Sequence, residues 1–132
     1  MINSLEFENF FNNISKELGQ KKEEAYNLCK YVQQVNDIKG DIVEIGVFKG
    51  KSAQILNYYK SVEKKLYLFD TFEGLIDCGN IDGNIIHNGS FQSNYNIVKK
   101  LFNSNDKVEI IIGYFPKMLP WNLRIKNFLL YI

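Results

Sequence analysis

Two stretches carry the residues best suited to gripping a ligand: Val43-Glu44-Ile45-Gly46-Val47-Phe48-Lys49-Gly50, and Leu66-Tyr67-Leu68-Phe69-Asp70. The first reads as a strand that breaks at Gly46 and enters a helix at Gly50. Glycine at such a turn lets the backbone approach a ligand without a Cβ in the way, while free N–H groups at the helix start face the crevice. The Glu44 carboxylate, at the strand end, suits ordering the turn or holding a cationic or hydroxyl-bearing group. Asp70 ends the next strand, close to where dinucleotide-type folds place an acid that accepts hydrogen bonds from ribose hydroxyls. Phe72 follows and has two readings, packing against an adenine face or joining the core.

Two better-known phosphate motifs fail here. Gly46 to Ser52 resembles a phosphate loop ending in Gly-Lys-Ser, but three residues separate the glycines where that loop needs four. Its nest of backbone N–H groups wraps a phosphate only at the right length. The dinucleotide fingerprint fails as well, because the closely spaced first glycine pair is absent. The pattern therefore suits a nucleoside without phosphates. His87, the single histidine, has no paired carboxylate or nucleophile beside it in sequence and reads as a loop residue, so no catalytic residue is assigned.

The elements that must position these residues follow from periodicity. Phe7, Phe10, Phe11, Ile14 and Leu18 predict a first helix stopped at Gly19, and Ala25, Leu28, Cys29, Val32 and Val35 predict a second. Four β-rich runs follow, at 41–47, 65–70, 107–113 and 127–132, apolar enough to be parallel strands covered on both faces. Helices are expected between them, over 51–61 with Ala53, Leu56 and Tyr59 inward, and over 93–103 with Val98, Leu101 and Phe102 inward. This is a βαβ order with right-handed crossovers and helices on both sheet faces. The fold class is α/β, with N-terminal helices over 1–38 and the strand-bearing unit over 39–132. Residues 73–92, rich in Gly, Asp and Asn, read as a loop over the site. The last strand pattern runs to Ile132 and only four strands are counted, so the sheet is expected to be incomplete, either cut short or covered along its edge by a partner chain.

Composition excludes several classes. With 132 residues the chain fits one domain, and 45% hydrophobic against 23% charged residues marks it as globular. Sixteen basic against fifteen acidic side chains give a formal charge of +1, which favours neither nucleic acid nor an anionic membrane. No run reaches the length of a membrane span and no signal-peptide pattern opens the chain, so a cytoplasmic protein is expected. Cys29 and Cys78 suggest neither a disulfide framework nor a zinc site.

The segments GDIVEIGVFKGKSA, LYLFDTFEGL, NGSFQSNYNIVKKLF, GYFPKMLP and NFLLYI together resemble successive blocks of the macrocin O-methyltransferase (TylF-like) family, over about residues 25–132. That resemblance implies the Rossmann-like class I methyltransferase fold and S-adenosylmethionine as cofactor. It also implies an acceptor hydroxyl on a small, sugar-containing molecule, with a homo-oligomer possible. It assigns Glu44, Gly46, Val47, Gly50 and Ser52 to the cofactor loop and Asp70 to the ribose. Thr71 and Phe72 would flank the adenosine, and Gly113 and Phe115, with Leu119-Pro120, would lie near the cofactor pocket. In that family the fourth strand runs on into carboxylates that help bind a divalent metal, magnesium by expectation. This sequence ends at Tyr131-Ile132 without them, and Asp77 and Asp82 match no metal-binding spacing, so no metal ligand is assigned. The chain is thus read as a cofactor-binding portion, inactive alone. The alternatives are a phosphate-loop-like nucleotide-binding protein or kinase, and a non-catalytic remnant or assembly module.

Overall fold

The computed structural model describes residues 2–14, 21–75, 89–90, 92–115 and 117, together with the backbone of a strand at 128–131. The element order is α1 (Ser4–Asn13), α2 (Lys22–Val35), β1 (Asp41–Ile45), α3 (Lys51–Tyr59), β2 (Leu66–Asp70), α4 (Tyr95–Leu101), β3 (Val108–Ile112) and β4 (Phe128–Tyr131). All four strand runs in the sequence form strands. The proposed stop at Gly19, and Leu18, Asp77, Cys78, Asp82, His87 and Leu119-Pro120, lie outside the described residues.

Local chemistry sets the helix starts. Asn3 caps α1 by accepting from the N–H groups of Leu5 and Glu6 at 3.0 and 3.2 Å, and Asn94 caps α4 by accepting from Asn96 and Ile97 at 2.9 and 3.3 Å. At the far ends of α2 and α3, the Asn36 amide donates to the Tyr59 carbonyl at 2.8 Å and accepts from the Ser61 N–H at 2.7 Å. One side chain thereby satisfies a carbonyl that the end of α3 would leave unpaired and the N–H just beyond its cap.

The strands form one parallel sheet in the order β3-β2-β1-β4. Ile42, Leu66 and Leu68 point to one face and meet Phe7, Leu28, Val32, Ala53, Leu56 and Val98 from the helices; Val43, Tyr67 and Phe69 point to the other, with Ile111 and Phe115. All four described helices thus pack on one face, where the sequence suggested helices on both. For α3 and α4 the reason is topological: β1, β2 and β3 follow one another in one direction across the sheet, so the right-handed crossovers between them fall on the same side, and α1 and α2 pack against that same core. Leu101 departs from its expected inward position and is 41% exposed, while its neighbours Val98 and Phe102 are buried. No helix among the described residues is long and apolar enough to cross a membrane.

This strand order has a consequence for binding. Successive strands run from β1 towards β3, then the chain returns to place β4 on the opposite side of β1. A parallel sheet opens a crevice at such a reversal, outside the carboxyl ends of its strands. The Gly46 turn leaves β1 at that end.

Candidate active site

Three strand tips converge on Asp70. The Gly46 N–H donates to the Phe69 carbonyl at 2.8 Å, bringing the β1 turn alongside the end of β2. Asp70 Oδ2 then accepts from the N–H groups of Val47 at 2.7 Å and Phe48 at 2.8 Å, and Oδ1 accepts from the Phe72 N–H at 2.8 Å. The Asp70 carbonyl accepts from the Gly113 N–H, just past β3, at 2.9 Å. A single residue knits the turns after β1, β2 and β3. A carboxylate offers about four lone-pair positions, so three amide donors leave roughly one for a ligand.

Next to this knot lies a cleft of about 430 Å³, in the size range of small-molecule sites. Ile45, Gly46 and Phe48 form one wall, Phe69 to Thr71 the floor with Gly74 and Leu75 beside it, and Gly113, Tyr114 and Phe115 the other wall. The Phe69 and Phe115 rings meet edge to face at 5.3 Å. At the rim the Tyr114 hydroxyl donates to Glu73 at 3.3 Å. Asp70 is the one charged residue lining the cleft among the described residues; no lysine, arginine or histidine contributes. Such a lining suits a neutral or cationic ligand with apolar rings and a hydroxyl, and its described residues bring no basic side chain to a phosphate.

Of the residues singled out from sequence, Gly46, Asp70, Thr71, Gly113 and Phe115 line the cleft, and Val47 contributes its backbone N–H to Asp70 while its side chain is buried in the core. The others stand behind it. Phe72 is buried, its ring edge-on to Tyr95 of α4 at 5.6 Å. Gly50 starts α3 in the left-handed region at φ 81°, with Leu101 and Val98 of α4 so close that an added Cβ would lie 2.9 Å from Leu101 Cδ1. Its need for glycine therefore comes from helix packing and backbone conformation.

Buried Glu44 and half-buried Ser52 pair beneath the turn, the Ser52 hydroxyl donating to Glu44 Oε1. Glu44 is 1% exposed, and its Oε2 has no hydrogen-bond partner. Burial, opposed in part by the Ser52 hydrogen bond and reinforced by the nearby Asp70 charge, pushes its pKa up to about 8. Lys51, next along, places its ammonium 4.5 Å from the centre of the Phe11 ring on α1, and burial pushes its pKa down.

Phe48, Leu75 and Tyr114 are cleft residues that the sequence reading did not select. Phe48 sits inside the glycine-bounded turn, which was the available signal; Leu75 and Tyr114 follow glycines next to strand tips, a weaker one. A second cavity of about 470 Å³ lies between α1 and α2, lined by Phe7, Tyr26 and the ion-paired Glu8 and Lys22. No strand tip borders it.

The family model of macrocin-O-methyltransferase (TylF) matches residues 17–128. The chain belongs to that family. No curated protein matches it in sequence. Among solved structures, the O-methyltransferase NovP is similar with a TM-score of 0.57 at 21% identity, over 76% of this chain and 48% of NovP. CalS11, a calicheamicin methyltransferase, is similar with a TM-score of 0.54 at 17% identity, over 83% of this chain and 55% of CalS11. At these identities the likeness is one of fold, and it places this TylF-family chain on the Rossmann-like methyltransferase fold. The chain spans about half the length of either neighbour. Among the described residues of this TylF-family chain, no group of three or more His, Cys, Asp or Glu side chains could hold a metal ion.

Proposed function

We propose that the cleft binds S-adenosylmethionine and that the chain is the cofactor-binding part of an O-methyltransferase acting on a hydroxyl of a small, sugar-containing acceptor. The observation that carries the cofactor reading is the lining of the cleft: aromatic walls, one carboxylate, and no basic side chain among the described residues. A nucleoside with a sulfonium tail fits such a lining, and a nucleotide does not. The two side chains that a phosphate loop would need are engaged elsewhere, Lys51 over Phe11 and Ser52 on Glu44. The acceptor class rests on family membership and on the family resemblance alone.

When bound, S-adenosylmethionine supplies a methyl group activated by its positively charged sulfur. The chain's own residues orient it. Asp70, fixed by three amides, has a lone pair left to accept a ribose hydroxyl. Phe48, Phe69 and Phe115 present apolar surface to the adenosine, and Gly46 admits it close to the backbone, because the space where a Cβ would stand is open for 4 Å. Holding a donor in one orientation is a large part of what a methyl-transfer site does.

Calorimetric titration of the chain checks this directly. S-adenosylmethionine or S-adenosylhomocysteine is expected to bind with a Kd on the order of micromolar, while ATP with magnesium gives no heat of binding. Binding of ATP with magnesium and silence with both sulfur nucleosides would remove the proposal.

A further inference from the structure

Among the described residues three non-glycines adopt positive φ: Phe48 at 52°, Phe72 at 60° and Ser104 at 67°. For a bulky side chain this conformation is unfavourable and calls for an explanation in the surrounding structure. Phe48 and Phe72 lie in different turns, after different strands, yet the amide of each donates to the same carboxylate, Phe48 to Asp70 Oδ2 and Phe72 to Asp70 Oδ1. Their rings go to different places: Phe48 lines the cleft, and Phe72 enters the main core against Tyr95.

We infer that Asp70 is a positioning residue: its carboxylate holds Phe48 and Phe72 in left-handed conformations, and so sets the cleft wall and its junction with the core before a ligand arrives. A carboxylate is the side chain for this task, because all of its sites accept and it can take amides from two sides at once. An amide side chain cannot. In Asp70→Asn one acceptor becomes an N–H donor facing the amides of Val47 and Phe48, or that of Phe72. The inference deepens the cofactor reading of the cleft, but its decisive observations are made without ligand, so the two can fail separately.

The test begins with the ligand-free chain. Hydrogen exchange followed by NMR should find the amides of Val47, Phe48 and Phe72 slowed by roughly 100-fold or more relative to an unstructured peptide. Asp70→Asn is expected to speed their exchange and to lower the melting temperature by about 8 °C. Glycine adopts positive φ without penalty, so Phe48→Gly should return part of that loss in the Asp70→Asn background. Such rescue at the strained position is not expected of a change that merely loosens the core. Free exchange of the three amides in the ligand-free wild-type chain would overturn the inference. So would an Asp70→Asn variant with unchanged melting temperature and protection that is impaired only in binding S-adenosylmethionine. If Asp70→Asn does not fold, the wild-type exchange rates decide.

Discussion

Replacing Gly74 with alanine is expected to destabilise the chain by roughly 3 kcal/mol, combining a left-handed backbone penalty with two weakened hydrogen bonds. Gly74 has φ 81°, and an added Cβ would lie 2.6 Å from the carbonyl oxygens of both Gly89 and Ser90. Those atoms are backbone and cannot swing aside. They belong to a clamp in which the Leu75 N–H donates to the Ser90 carbonyl at 2.8 Å and the Gly89 N–H donates to the Leu75 carbonyl at 2.7 Å. Gly89 provides the control: its φ is 85°, but no atom lies within 4 Å of its hypothetical Cβ. Gly89→Ala should therefore cost only about 1–2 kcal/mol, the conformational penalty by itself. Urea unfolding of the two variants measures the difference. Because Gly74 and Leu75 line the cleft, Gly74→Ala should also weaken cofactor binding by roughly tenfold, equivalent to about 1.4 kcal/mol. Equal losses in the two variants would show that the clamp does not form.

The buried acid under the β1 turn makes a second large effect, visible as a pH dependence of stability. Glu44 has an ordinary pKa of 4.5 when unfolded and about 8 when folded, chiefly because burial disfavours its charged form. Between those values the folded chain binds a proton that the unfolded chain has released. Glu44's contribution to stability is therefore full below about pH 4.5, falls as pH rises towards about 8, and is level beyond. The total loss is on the order of 5 kcal/mol at about 1.36 kcal/mol per unit. Glu44→Gln removes the titration while keeping an oxygen to accept from Ser52. Its urea midpoint should stay flat across this range where the wild-type midpoint declines, and above pH 8 the variant should be the more stable protein. Parallel pH profiles for the two would mean that Glu44 ionises normally in the fold.

Much of this arrangement was legible in the sequence, because strand patterns and punctuating glycines are local. The four strands, and the meeting of the Gly46 turn with Asp70, follow from short apolar runs ended by Gly46, Asp70 and Gly113. Glu44 was placed less well: its position at the strand end suggested a carboxylate for the turn or for a ligand, whereas strand alternation puts it on the face of Ile42, towards α3, where it meets Ser52. The role of Asp70 in joining three turns was not legible. It depends on where backbone N–H groups point after Phe48 and Phe72 turn left-handed, and no residue type at either position announces that conformation. The exposure of Leu101 escaped for a similar reason. Helical spacing places it beside Val98 and Phe102, but only the packing of α4 against the start of α3 decides that its side chain lies at the margin.

The central claim is that the three-turn knot at Asp70 is where the nucleoside binds, and amide chemical shifts recorded during a titration with S-adenosylhomocysteine test it most directly. The largest changes are expected at Gly46, Phe48, Thr71, Gly113 and Tyr114, with the amides of Tyr26 and Asn27 on α2 unmoved. Changes centred on the α1–α2 cavity around Phe7, Lys22 and Tyr26, with those five amides still, would contradict it.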